Sequence, residues 1–98
     1  MWGMIAKITA VPGKREEIIS ILRQSAAKMP GCTSYTVAED ATAEHILWVT
    51  ELWQSEQDHK ASLGLRQVQE AMPRARPLIA NFERIAVTTP VFDGTTDA

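Results

Sequence analysis

Few side chains in this 98-residue chain can move a proton or hold a flat organic molecule, and two stand out in the stretch ELWQSEQDHKASLGL, residues 51–65. His59 carries an imidazole, which can take a proton from an acidic phenol or carbon acid near neutral pH. Trp53 offers a broad apolar ring that can wall a pocket. Glu51 shares strand parity with Trp53, and a carboxylate near the end of a buried strand needs a partner, for which His59, Arg66 and Arg84 are the candidates. Tyr35 can turn its hydroxyl to a pocket or pack its ring in the core. Cys32 follows Pro30-Gly31 with no basic neighbour to lower its pKa, and so reads as a small buried hydrophobe. His59, taken alone, reads two ways. It can lean from a first helical turn over the sheet as a base, or it can be a surface residue between Asp58 and Lys60; the isolated sequence favours the surface residue.

The elements that must position these groups follow from periodicity and punctuation. WGMIAKITAV is apolar and β-branched and stops at Pro12-Gly13, which predicts a first strand over residues 2–11. From Lys14 to Met29 the residues Ile18, Leu22, Ala26 and Met29 recur at helical spacing, with Glu16 and Glu17 in the first turn and Lys28 in the last, until Pro30-Gly31 ends the helix. CTSYTVAED reads as a second strand, about 32–40, ATAE as a turn, and HILWVTELW as a third strand, about 45–53. The short polar connection makes strands two and three a hairpin. The run Ile46 to Val49 implies a strand buried on both faces and therefore central or at an interface.

Trp48 and Trp53 are five residues apart, so strand alternation sends them to opposite faces. Only one can line a helix-covered pocket. Trp2 reads as an edge or interface residue. Ser55 is placed to cap a short helix over about 56–62, Gly64 interrupts it, and LRQVQEAMPRA forms a second piece whose end Pro73 and Pro77 should make irregular. FERIAVTTPV reads as the fourth strand, 82–91. The order β-α-β-β-α-β is the ferredoxin-like α+β arrangement, a four-stranded antiparallel sheet with its helices on one face.

Residues 1–92 make one domain, with 93–98 as a polar tail. Helices on one face leave the other bare, so a partner chain is expected before any motif is read. Ten basic against twelve acidic residues give a net charge of −2 and no basic stripe, which argues against nucleic acid. No apolar run reaches the length of a membrane span, and the opening stretch lacks the pattern of a signal peptide. With a single cysteine, these points make the cytoplasm the expected location. Two histidines and one cysteine, widely spaced, show no metal-ligand spacing, and no dinucleotide-binding glycine pattern occurs.

Four motifs in order, PGC-x-SY before strand two, E-x-W-x-S closing strand three, H-x-x-S in the following helix and RPLI before the last strand, resemble the antibiotic biosynthesis monooxygenase family. With the first strand and helix included, the resemblance spans residues 2 to about 91. It implies a dimeric α+β barrel in which two sheets pack face to face, with a pocket in each subunit between sheet and helices. It further implies a cofactor-independent oxygenase, with no metal, that binds and deprotonates a quinol, a polycyclic phenol or a polyketide-like aromatic so that the anion reacts with molecular oxygen. Carried over by position, His59 becomes the catalytic residue and Trp53 the strand-end tryptophan of the pocket; Tyr35 and Glu51, from the residue reading above, are the further candidate substrate contacts. The haem-degrading branch uses an asparagine on strand one and a histidine on the second helical region. WGMIAKITAV has no asparagine and the piece after Gly64 no histidine, which argues against haem degradation. An isomerase or other acid/base enzyme of the same fold, and a non-catalytic dimeric binding protein, are the alternatives.

Overall fold

The computed structural model describes residues 1–94. Its elements run β1 (Trp2–Ala10), α1 (Arg15–Ser25), β2 (Cys32–Glu39), β3 (Ile46–Trp53), α2 (Glu56–Ser62), α3 (Arg66–Ala75), a 3₁₀ turn (Arg76–Leu78) and β4 (Ile79–Thr88). The sheet is antiparallel throughout in the order β2-β3-β1-β4. This is the ferredoxin-like α+β fold expected from the element order, with the second helical region split at Gly64. Residues 95–98, the end of the expected polar tail, lie outside the described residues.

Alternation on the two interior strands builds the core. Met4, Ala6, Ile8 and Ala10 of β1 and Leu47, Val49, Glu51 and Trp53 of β3 turn to the helices and are buried. Ile18 and Ile21 of α1 and Ala71 and Ala75 of α3 close over them. The opposite face carries Ile5, Ile46, Trp48 and Leu52, all half-buried, beside Lys7 and Thr50. Among the described residues no helix is long and apolar enough to cross a membrane.

Two boundaries, and the irregularity expected at Pro73, differ from the sequence reading. α1 stops at Ser25, and the expected last turn is replaced by a bend in which Lys28 takes φ 53°. The proline-glycine pair therefore ends the connection rather than the helix. α3 continues through Pro73 to Ala75 because Ala71 and Ala75, one on each side of the proline, are buried against α1. Packing offsets the backbone hydrogen bond that Pro73 cannot donate. β4 begins at Ile79, three residues before the expected start, because the 3₁₀ turn delivers the chain straight onto β1, where Val11 N–H donates to the Leu78 carbonyl at 2.8 Å. It ends before Pro90, which has no N–H for a ladder.

Candidate active site

Glu51 and Trp53 leave β3 on the helix-covered side, next to each other on one face. The indole Nε1–H of Trp53 donates to Glu51 Oε1 at 2.9 Å. Trp53 is 0% exposed and Glu51 7%. Burial pushes the Glu51 carboxyl above its usual range, while the Trp53 hydrogen bond and the Arg84 charge pull the other way.

His59 comes from α2, whose start is fixed by Ser55. The Ser55 hydroxyl accepts the Asp58 N–H at 3.1 Å, as the sequence suggested. One residue later the imidazole projects under the helix. The chain leading into β2 approaches closely here: Gly31 adopts φ 81°, its carbonyl accepts Gln54 N–H at 2.8 Å, and a Cβ at this position would collide with the Asp58 carboxylate. Gly31 thus lets the start of β2 and the first turn of α2 close on one another.

The surface reading of His59 is corrected by the structure. The residue is 8% exposed, its ring stacks on Trp2 at a centroid distance of 4.8 Å and 29°, and it meets the edge of Trp53 at 5.5 Å and 74°. Its Nε2 lies 3.9 Å from Glu51 Oε1, beyond a direct hydrogen bond. Burial, and then the Arg84 charge, hold the imidazole below its ordinary pKa, with Glu56 opposing weakly. A neutral ring at pH 7 is a proton acceptor, and the nearby carboxylate can steady the imidazolium once it forms.

Trp2, expected at an edge or interface, is not at an edge: it stands on an interior strand, directly across from Trp53 in the β1–β3 register. It shares the even-numbered face of Met4 and Ala6, and this parity was the available signal. Tyr35 pairs opposite Glu51 from β2. Burial, with smaller contributions from Glu51 and Cys32, raises its hydroxyl pKa, so it stays protonated and can only donate or accept a hydrogen bond. Of the proposed partners for Glu51, Arg66 is not one, since it bonds Glu70 on the surface at 3.1 Å. Cys32 is half-buried and its thiol is pushed up by burial and then by Glu51, so it remains a thiol.

One cavity of about 660 Å³ lies between sheet and helices. Its inner wall is Met4, Ala6, Val49, Trp53 and Ala71, all buried, and its exposed lip includes Met72, Phe82, Arg76 and Arg84. The size suits a small polycyclic molecule. His59, Glu51, Trp53 and Tyr35, singled out separately in the sequence, all line it. Trp48 does not, and lies on the opposite face, where its Nε1–H donates to Asp40 at 2.8 Å and Lys7 sits 5.8 Å from its ring. Among the described residues, no group of three or more His, Cys, Asp or Glu side chains is arranged to hold a metal ion.

An α+β sheet-and-helix domain with a cavity between its layers is the class that fold and site define. The family model for antibiotic biosynthesis monooxygenase matches residues 1–74, and the chain belongs to this family. It is 45% identical to a solved protein of Chloroflexus aurantiacus J-10-fl, with 96% of each chain covered and a TM-score of 0.92. A Caulobacter crescentus CB15 protein is 25% identical over 86% of each chain, with a TM-score of 0.76. One from Nitrosomonas europaea is 12% identical, covering 94% of this chain and 100% of its own, with a TM-score of 0.85, and shows the fold alone. All three are provisionally named antibiotic biosynthesis monooxygenases. No curated protein matches the chain.

Proposed function

We propose that this protein is a cofactor-independent monooxygenase that oxidises a quinol or polycyclic phenol, of the polyketide-like aromatic kind, with molecular oxygen. The observation that carries this reading is His59, buried and held neutral beside Glu51 on the wall of an apolar cavity. The flat substrate lies against the apolar wall, with Trp53 and Tyr35 bounding it. Its hydroxyl gives a proton to the imidazole, and Glu51 stabilises the resulting imidazolium. The electron-rich anion reacts with oxygen; one atom enters the ring system and the other leaves as water, its two electrons and two hydrogens drawn from the substrate, which ends as a quinone. No metal or organic cofactor takes part in this scheme.

The protein acts in the cytoplasm as a homodimer. The open sheet face, with Ile5, Ile46, Trp48 and Leu52, is the surface the second copy covers. Sedimentation should give twice the 10.9 kDa chain mass at micromolar concentration, and a single-chain mass there would overturn the dimer. The test of activity is oxygen uptake with a panel of quinols and anthrone-like phenols. Turnover with oxygen consumption is expected. Conversion of substrate without oxygen uptake would establish the acid/base alternative, and binding without conversion the ligand-binding one.

A further inference from the structure

Proton removal by His59 leaves a negative charge in an apolar cavity, where an unpaired anion is costly. Two charged side chains of the cavity, Arg76 and Arg84, have no part in the proton transfer. Arg84 stands on β4 directly across from Ala6 of β1. The register shifts between Ile5 and Ala6, which pair with Ala86 and Arg84, so Ile85 is the extra residue of a bulge. Simple alternation down from Val87, which pairs with Met4 on the helix-covered side, would send Arg84 to the open face. The bulge reverses this and brings Arg84 to the helix-covered side, at the lip of the cavity, a use of bulges familiar beside active sites.

Its guanidinium lies 5.9 Å from the centroid of Trp2, the ring that stacks on His59. Among the described residues no carboxylate lies within ion-pairing distance of it. Its field nevertheless reaches both members of the proton-transfer pair, favouring ionised Glu51 and disfavouring protonated His59.

We infer that Arg84 holds the ionised oxygen of the substrate, so that the cavity selects a phenol as its phenolate. This rests on the reading of the cavity as a phenol site. In the step itself the O–H bond breaks, the proton moves to the imidazole nitrogen of His59, and the electron pair stays on the oxygen facing the guanidinium. No oxidant or reductant is involved. The phenolate then sits near both the new imidazolium and Arg84, which offsets the mutual repulsion of the two cations. The other titratable groups around the cavity are Tyr35 from β2, Glu51 from β3 and Arg76 after α3. Glu51 repels the phenolate and Tyr35 stays neutral, which leaves Arg76 as the competing cation.

The probe is 4-nitrophenol, whose phenolate absorbs in the visible, with non-ionising 4-nitroanisole as its matched control. Each is titrated into the full chain across pH and followed by absorbance. On the wild type, bound 4-nitrophenol should ionise about one pH unit or more below the free compound, as expected beside an opposite charge. Arg84→Gln, or Arg84→Met where Gln does not fold, should abolish that lowering while 4-nitroanisole binds as before. Arg84→Lys should retain most of it. No lowering on the wild type, persistence in the neutral Arg84 variants, or loss in Arg76→Gln instead would overturn the assignment while leaving the aromatic site in place. Failure of both compounds to bind would overturn the site reading and the assignment together.

Discussion

Trp48 and Trp53 stand on the same strand and each donates its indole N–H to a carboxylate, at 2.8 and 2.9 Å. The two carboxylates respond in opposite directions. Asp40 lies in the β2–β3 turn, where it accepts from Trp48 and from the backbone N–H groups of Ala43 and Thr42, and these bonds hold it well below the usual carboxylate range. Glu51 accepts the same kind of indole bond, yet burial outweighs it and the pKa goes up. The hydrogen bond is common to both pairs. What separates them is which face of the sheet the strand's alternation selects, an exposed turn with spare backbone donors on one side, a helix-covered apolar cavity on the other. The first arrangement pins a turn; the second keeps a carboxylate chemically available beside His59.

The largest effect that would sharpen this contrast is on turnover. His59→Ala should lower the rate of oxygen consumption by about 10²–10⁴-fold, as for loss of a positioned base. Asp40→Asn should leave the rate alone. In the wild type, activity should rise with pH along a limb below the ordinary histidine value of 6.5, because His59 must be neutral to act and its pKa is lowered. Equal turnover by His59→Ala on an accepted substrate would reduce the histidine to packing.

Next in size is the cost of losing each indole. Trp53→Phe empties part of a fully buried site and strips Glu51 of a donor, so it should destabilise by about 1–3 kcal/mol in denaturant unfolding. It should also push the Glu51 pKa higher still, which carboxyl-carbon NMR can follow. Trp48→Phe loses one bond on the half-exposed face, for about 1 kcal/mol, with no change at Glu51. A Glu51 pKa indifferent to Trp53→Phe would break the comparison.

The smallest effects are slopes of stability against pH. Asp40, with its folded pKa depressed, adds stability that is present above its unfolded pKa and is lost as pH falls through the folded value. Glu51, with its folded pKa raised, does the reverse, adding stability that is full below its unfolded pKa and fades as pH rises through the folded one. Asp40→Asn should therefore flatten the acid-side loss of stability. Glu51→Gln should remove a decline on the way to neutrality. Unfolding midpoints collected across acid pH would show two changes of opposite sign, and changes of the same sign would contradict the assignment.

Local chemistry was enough to read much of this molecule from its residues in order. Apolar alternation marked β1 and β3, the Ser55 cap placed the start of α2, Gly64 split the second helical region, and the odd spacing of Trp48 and Trp53 put them on opposite faces. Each depends on interactions within a few residues, so each is written where it acts. The motifs around Glu51, Trp53 and His59 carried the family as well.

Only the tertiary structure decided whether those residues meet. Burial of His59 depends on Trp2 being paired across from Trp53, a contact between segments far apart in the chain. The aim of Arg84 depends on one extra residue in the β1–β4 ladder, which reverses a parity that alternation alone would assign. The early start of β4 and the continuation of α3 through Pro73 likewise answer to packing against β1 and α1. Pairing register and burial are properties of two segments at once, and a pattern read along one segment contains only half of each.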